Sequence, residues 1–212
     1  MKIIKPSVEF VGEVNADEII KKIEAAGRVC YKSESKIHDG SAEKFIANII
    51  KHGHEAVLEH GTFTVKFICD RGVSHEIVRH RVASYCQEST RYCNYSKDDF
   101  GSEITVIMPC FLEEGTNGGY QIWKAYCEQA EDGYFNLMNF GCSPQEARAL
   151  LPNSLKTEVV MTANIREFRH FLKLRTSPAA HPQMREVAFM LLKLCKDTFP
   201  VLFDDIGEPD AR

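Results

Sequence analysis

The residues from Arg79 to Arg91, RHRVASYCQESTR, carry the side chains best suited to chemistry. Arg79, His80, Arg81 and Arg91 set four basic groups around the short hydrogen-bonding side chains of Ser84, Gln87, Ser89 and Thr90. The stretch has no Lys, and its one acid is Glu88. A surface built only for solubility mixes signs and uses long Lys and Glu side chains. The Arg guanidinium is a planar fork that pairs bidentately with phosphate or carboxylate. Hydroxyls and amides add neutral hydrogen bonds that can read a sugar or a base. The pattern points to a site for a phosphorylated, base-bearing small molecule. The competing reading is a solvated basic helix end.

Two histidine-rich stretches invite a metal reading that their spacing does not support. HGHEAVLEH at 52–60 places His54 and His60 six apart, and HEIVRH at 75–80 places its histidines five apart. Zinc-binding helices need two histidines on one face at i and i+4, whereas five residues turn through about 140°. No metal site is expected. Ser89 is a tempting nucleophile, but a serine hydroxyl needs an activating base, and no Ser-His-Asp order surrounds it. It reads as a substrate binder.

These groups need elements to hold them. Residues 2–12 alternate weakly and read as a strand. Asp17 can cap a helix to about Gly27, and Ser41 a second one ending near Gly53. YKSESKIHDGS between them reads as a loop. Thr62 to Phe67 alternates as a half-buried strand. Ser74 can cap a helix through Ile77, Val78 and Val82, which would carry Arg79, His80 and Arg81 in three diverging directions. Ser84 to Ser96 then reads as a binding loop. Ile104, Val106 and Met108 suggest a strand, EEGTNGG a linker, and Tyr120 to Met138 a long helix interrupted by Gly133. Ser143-Pro144-Gln145-Glu146 is a helix start. Thr157 to Ala163 reads as a strand, and Asn164 with Glu167 at N3 opens the next helix. Its apolar side is Ile165, Phe168, Phe171 and Leu172. Arg166, Arg169, His170 and Lys173 read as its basic surface face, with Arg175 closing it. A last helix carries Val187, Leu191, Leu194 and Cys195 and ends at Pro200. The irregular alternation of elements predicts a single α+β domain with a mostly antiparallel sheet flanked by helices. That domain is placed at residues 1–205, with a frayed acidic tail at 206–212.

The 212 residues suffice for a sizeable core. A net charge of −4 argues against a nonspecific nucleic-acid binder. No apolar run approaches a membrane span, and no secretory signal is seen at the start of the sequence. The eight cysteines include no C-x-x-C pair and read as free thiols in a reducing cytoplasm. Neither a Rossmann nor a P-loop glycine pattern occurs, so any dinucleotide would be held by side chains. No nucleic-acid or membrane partner is expected.

The pattern R-H-R, seven residues, then Ser89 and Arg91 resembles the signature of the flavin-dependent thymidylate synthases. The resemblance extends to HGHEAVLEH, to EARALLP at 146–152 and to NIREFRHFLKLR at 164–175. It implies reductive methylation of dUMP to dTMP. The cofactor would be FAD, the one-carbon donor methylenetetrahydrofolate and the reductant NADPH. It also implies a cytoplasmic homotetramer whose active sites are shared between subunits. Carried over by position, Arg79, His80, Arg81, Gln87, Asn164, Arg166, His170 and the region of His54 are flavin contacts. Glu76, Arg79, Gln87, Ser89, Arg91, Arg148 and Arg175 are dUMP contacts, with backbone help from Glu88 and Thr90. Some family members have Gln where Glu76 stands, Asn at the position of His170, and Thr where this chain has Ala56. Cys86 lies inside the motif where a small polar residue is common. Arg175 is the expected catalytic group, since a guanidinium beside the uracil ring can stabilise charge pushed toward carbon 5. A flavoprotein oxidoreductase without methyl transfer, or a nucleotide- or RNA-binding module, are the competing classes.

Overall fold

Residues 1–96, 101–112 and 118–207 are described in the computed structural model of the chain. The elements run β1 Lys2–Ile4, β2 Ser7–Phe10, α1 Ala16–Val29, α2 Ser41–Lys51, β3 Thr62–Asp70, α3 Arg71–Ile77, β4 Ala83–Gln87, β5 Thr105–Ile107, α4 Gly118–Asn139, α5 Pro144–Ala147, β6 Lys156–Asn164, α6 Ile165–Arg175, α7 Pro182–Thr198 and α8 Pro200–Phe203. A short 3-10 helix, Glu55–His60, lies between α2 and β3. The chain is thus a mixture of helices and sheet, as expected.

Strands β2, β3, β6 and β4 form a sheet in that order. Thr64 and Thr162 join hydroxyls at 2.8 Å, and the Arg71 amide donates to the Leu155 carbonyl at 3.1 Å. Those two pairings run in opposite senses, so β3 and β6 are antiparallel. The Val11 amide on the Thr64 carbonyl and Lys66 on Glu9 give the same sense for β2 and β3. The expected antiparallel sheet is therefore present. A second, two-stranded sheet departs from it, because β1 and β5 pair in parallel with Ile3 opposite Val106.

The chain divides into two compact units. One holds Met1–Ser7, Phe67–Arg79 and Cys86–Val159. Its core gathers Tyr95, Ile104, Val106, Cys127, Tyr134, Ala147 and Leu155. Helix α4 runs unbroken through Gly133, where a Cβ would come within 2.9 Å of the Leu150 side chain. Close packing, not a break, accounts for that glycine. Ser143 and Glu146 form the anticipated capping box at the start of α5.

The other unit holds Val8–Lys66, His80–Tyr85 and the chain from Val160 onward. Here α1 packs on α2, and α6 on α7 and on the 3-10 helix. Phe63 stacks on Phe168 with ring centres 4.0 Å apart, and Phe199 and Phe203 close around it. Gly61 sits where a Cβ would come within 3.0 Å or less of Ile19, Ile23 and Ile165, and its carbonyl accepts from the Ile165 amide at 2.9 Å. That contact fixes where α6 begins. A Gly→Ala change in open space stabilises by about 0.4–1 kcal/mol. Gly61→Ala is expected to reverse the sign and cost about 1–3 kcal/mol through overpacking. The check is a lower urea midpoint at unchanged slope.

Several expected boundaries move. Residues 2–12 hold two strands, not one. Asn15, not Asp17, caps α1, its side chain accepting from the Glu18 amide. Gly40 precedes α2 in the left-handed conformation, and Ser41 is its first helical residue, donating to Glu24 at 2.6 Å. Asp70, not Ser74, caps α3, so that helix begins earlier and stops at Ile77. Arg79, His80 and Arg81 therefore lie beyond the helix, and Ala83–Gln87 is a strand rather than loop. Ile206 is 3% exposed, so the packed chain continues into the segment expected to fray. The linker expectation at 113–119 falls mostly on residues 113–117, outside those described, as do 208–212. No helix among the described residues is long and apolar enough to cross a membrane.

Candidate active site

In the second unit the site is built on the joint between β6 and α6. Asn164 ends the strand and caps the helix, its side-chain oxygen accepting from the Glu167 amide at 2.9 Å. The cap phases the helix. Ile165, Phe168, Phe171 and Leu172 turn inward, and Arg166 and His170, one turn apart, turn outward. Glu55, Glu59, Val82, Asn164, Arg166, Glu167 and His170 line an open cleft of about 400 Å³. That volume is within the range of small-ligand sites. Two of these lining residues are bonded to each other, Arg166 donating to Glu59 at 2.6 Å. Arg81 is exposed and precedes the lining residue Val82. His54 is also exposed, its ring 6.0 Å from that of His52, and it does not line the cleft.

Behind the cleft lies His80, 5% exposed. Its Nδ1 is 3.2 Å from the Glu167 carboxylate. Its Nε2 is 3.1 Å from Nε of Arg175. Its ring meets Phe171 edge-on at 4.7 Å and lies 5.6 Å from His170. Tyr85 donates to its carbonyl at 2.6 Å. Burial pushes the His80 imidazole below its ordinary range; Arg175 and His170 add to this, and Glu167 opposes it. His80, Glu167 and His170 bring ligand-type atoms within 4.8 Å of one another, a grouping that could hold a cation. Neither histidine-rich stretch of sequence announced it, since Glu167 and His170 come from α6. The Arg175 guanidinium bonded to the same ring sets a fixed positive charge against any such ion. A hydrogen bond accounts for the His80–Glu167 pair, and His170 joins it through ring contact with His80.

Arg169 corrects the sequence reading. Expected on the basic surface of α6, it is fully buried. Its guanidinium pairs with both oxygens of Asp205 at 2.6 Å, with Glu55 at 3.3 Å and with the Leu202 carbonyl. Glu167 corrects it too. Its carboxylate goes to His80 instead of returning to the Asn164 amide, as a capping box would require.

In the first unit a separate group surrounds the end of β4. Gln87 donates to Ser74 at 2.9 Å and Thr157 at 3.3 Å. The Glu88 amide donates to the Glu158 carbonyl at 2.9 Å, while its carboxylate takes Lys156 at 3.0 Å and the Tyr95 hydroxyl at 3.3 Å. Backbone help to a ligand from Glu88 is therefore left to its carbonyl. Ser89 turns the chain, its carbonyl accepting from the amides of Tyr92 and Cys93 and its hydroxyl from that of Arg91. Thr90 is buried and accepts from Arg148 at 3.3 Å. Arg148 itself is exposed, as is Arg91, whose guanidinium lies over the Tyr92 ring at 5.4 Å. Arg79 is exposed in the turn after α3, its amide on the Glu76 carbonyl. The exposed forks of Arg148, bonded to the buried Thr90, and of Arg91, its neighbour in sequence, have the chemistry to pair with an anion.

Residues 14–201 match the thymidylate synthase complementing protein family. A flavin-dependent thymidylate synthase of Pyrococcus furiosus is 35% identical over 163 residues, covering 76% of this chain and 66% of that protein. One from Geobacter sulfurreducens is 33% identical over 189 residues, covering 86% and 79%. One from Corynebacterium aurimucosum is 32% identical over 219 residues, covering 93% and 84%. A solved UMP/dUMP methylase, PolB of Streptomyces cacaoi bound with 5-Br dUMP, shares the fold, with a TM-score of 0.77, 24% identity and 96% of each chain covered.

Proposed function

The chain belongs to the thymidylate synthase complementing protein family, and from that premise we propose that it methylates dUMP to dTMP as a flavin-dependent thymidylate synthase. In this reading methylenetetrahydrofolate gives the carbon and NADPH the reducing equivalents. The uracil loses its carbon-5 hydrogen and gains a methyl group, and the folate leaves as tetrahydrofolate. The cofactor is FAD, which when bound relays a hydride from the reductant. The enzyme works in the cytoplasm as a homotetramer with active sites shared between subunits.

The observation that carries the reading is the cleft on α6. Asn164, Arg166 and His170, spaced through the matched stretch, line one cavity. Their donor set suits the hydroxyls, ring edges and phosphates of a flavin nucleotide. Arg166 is the cation for the phosphates, exchanging its bond to Glu59 for one to the ligand. Arg79, Arg81, Gln87 and His54 complete the flavin contacts. Both ring nitrogens of His80 are engaged within the protein, so its contact with a flavin is through the ring face or carbon edge.

The substrate phosphate goes to Arg148 and Arg91, which present forks to it. Thr90 holds Arg148 in place. Gln87 and Ser89 read the nucleoside, with Glu76 accepting from a ribose hydroxyl and Arg79 adding charge. Arg175 stabilises negative charge on nitrogen 3 and its flanking oxygens, which raises the nucleophilicity of carbon 5.

The test is the visible spectrum of the purified protein before and after anaerobic NADPH, with and without dUMP. Flavin bands that bleach faster when dUMP is present, followed by dTMP formation on adding methylenetetrahydrofolate, are the expected result. Bleaching with no dTMP would leave a flavoprotein oxidoreductase. A colourless protein that binds no added FAD would remove the enzyme reading.

A further inference from the structure

We propose that Glu167 is a positioning residue for Arg175, acting through the imidazole of His80. The proposal rests on the assignment of Arg175 to catalysis made above. The Nε of arginine always carries its hydrogen. Nε of Arg175 lies 3.1 Å from Nε2 of His80, so Nε2 must be the acceptor and bear no proton. The ring proton of neutral His80 is then on Nδ1, where it donates to the Glu167 carboxylate at 3.2 Å. The burial that disfavours the imidazolium keeps the ring neutral and its Nε2 lone pair available. The carboxylate and the guanidinium thereby demand the same tautomer, and the carboxylate holds the ring that orients the guanidinium.

The chain of bonds has a rigid frame. Glu167 and Arg175 lie near opposite ends of α6, with Glu167 at its N3 position. His80 spans the two from a different segment, pinned by Phe171 on its ring and by Tyr85 on its carbonyl. The His80 bond is made through Nε of Arg175, and the Nη1–Nη2 edge of a guanidinium has the shape of a planar acceptor such as the oxygens and nitrogen 3 of a uracil. Without Glu167, the Arg175 donor alone favours Nδ1–H, and the buried Nδ1–H loses the acceptor that fixes the ring in its plane. An Nε2–H tautomer would face the Arg175 donor with another donor and turn the guanidinium away.

The test has two arms. In the purified, flavin-loaded protein, nitrogen NMR of the histidine rings should show His80 with a pyrrole-type Nδ1 and a pyridine-type Nε2, the signal being assigned by its loss in His80→Gln. In kinetics, Glu167→Ala should lower kcat for dTMP about 10- to 100-fold, the size of effect seen when a group orienting an active-site ligand is removed. Rates are compared at saturating FAD, since Glu167 also lines the cleft, and affinity for dUMP should change less than threefold. Glu167→Gln keeps an oxygen acceptor for Nδ1–H and should restore kcat to within about threefold of the parent. A proton on Nε2 in the parent protein would overturn the proposal, even if Glu167→Ala proved unable to fold. So would a folded Glu167→Ala enzyme with parental kcat. A parent protein that forms no dTMP would instead overturn the assignment of function, and the proposed role of Glu167 with it, whatever the ring spectra show.

Discussion

Arg175→Ala should bind flavin normally and form dTMP about 10²- to 10³-fold more slowly than the parent, the size of loss seen when one preorganised donor to developing charge is removed. The residue ends α6, half-buried, with its Nε held on His80. Its charge is thus oriented before substrate arrives, which is when electrostatic stabilisation costs no reorganisation in the reaction. The cleft residues Asn164, Arg166 and His170 lie elsewhere on the same element, so the flavin spectrum should persist. Arg175→Lys should not restore the rate. An ammonium keeps the charge but loses the planar fork and the Nε that His80 accepts from. The measurements are flavin absorbance per protein and initial rates of dTMP formation. An Arg175→Ala enzyme with full activity would remove Arg175 from the mechanism.

The second large effect is on stability. Arg169→Ala should lower unfolding free energy by about 1–3 kcal/mol, the range for leaving a buried hydrogen-bonding group without its partner, here the Leu202 carbonyl. The guanidinium holds the Leu202 carbonyl, Asp205 and Glu55, and so ties α8, the turn after it and the 3-10 helix to α6. Denaturant unfolding read by circular dichroism measures it. The pH dependence has a definite sign. The Arg169 guanidinium holds the Asp205 carboxyl below its ordinary value of 3.8. A carboxyl depressed in the folded state contributes fully above that ordinary value, and the contribution fades as pH falls through the lower, folded one. Asp205→Asn should therefore cost stability near neutrality and little at the acid end. An equal loss at both ends would show that packing, not charge, makes the contact.

What could be read beforehand divides by range. The start of α6 was legible because the signal is local, an Asn cap followed by an i, i+3, i+6, i+7 apolar stripe. The capping box at Ser143 and the strand at β3 were legible for the same reason. Arg169 was not. Its partners Asp205 and Glu55 are 36 and 114 residues away, and at the level of sequence it is one more cation on a basic helix. Glu167 was seen as a cap partner, yet its carboxylate goes to His80, 87 residues away. The arginine-rich motif misled in a different way. Ser74 is a good cap by type, but Asp70 captures the Val73 amide first, and α3 ends before Arg79. The hydroxyls after Val82 suggested a loop. In the structure Ala83–Gln87 alternates between half-buried and exposed, a strand pattern that its mostly small and polar residues did not announce. Of the groups named from the family motifs, Asn164, Arg166 and His170 meet at the cleft on α6 and Thr90 meets Arg148, while His54 lines no part of that cleft.

The joint between β6 and α6 bears on how chains of this kind can vary in length. Strand ends at Asn164 and helix begins at Ile165 with no connecting residue. An insertion or deletion of one residue there would turn the helix by about 100° relative to the strand. Arg166 and His170 would leave the cleft, and the buried position of Arg169 would pass to a neighbour. Length polymorphism is therefore barred from this joint. It must accumulate in turns such as those after Lys51 and Arg175, where an added residue leaves the phase of α6 against the sheet untouched.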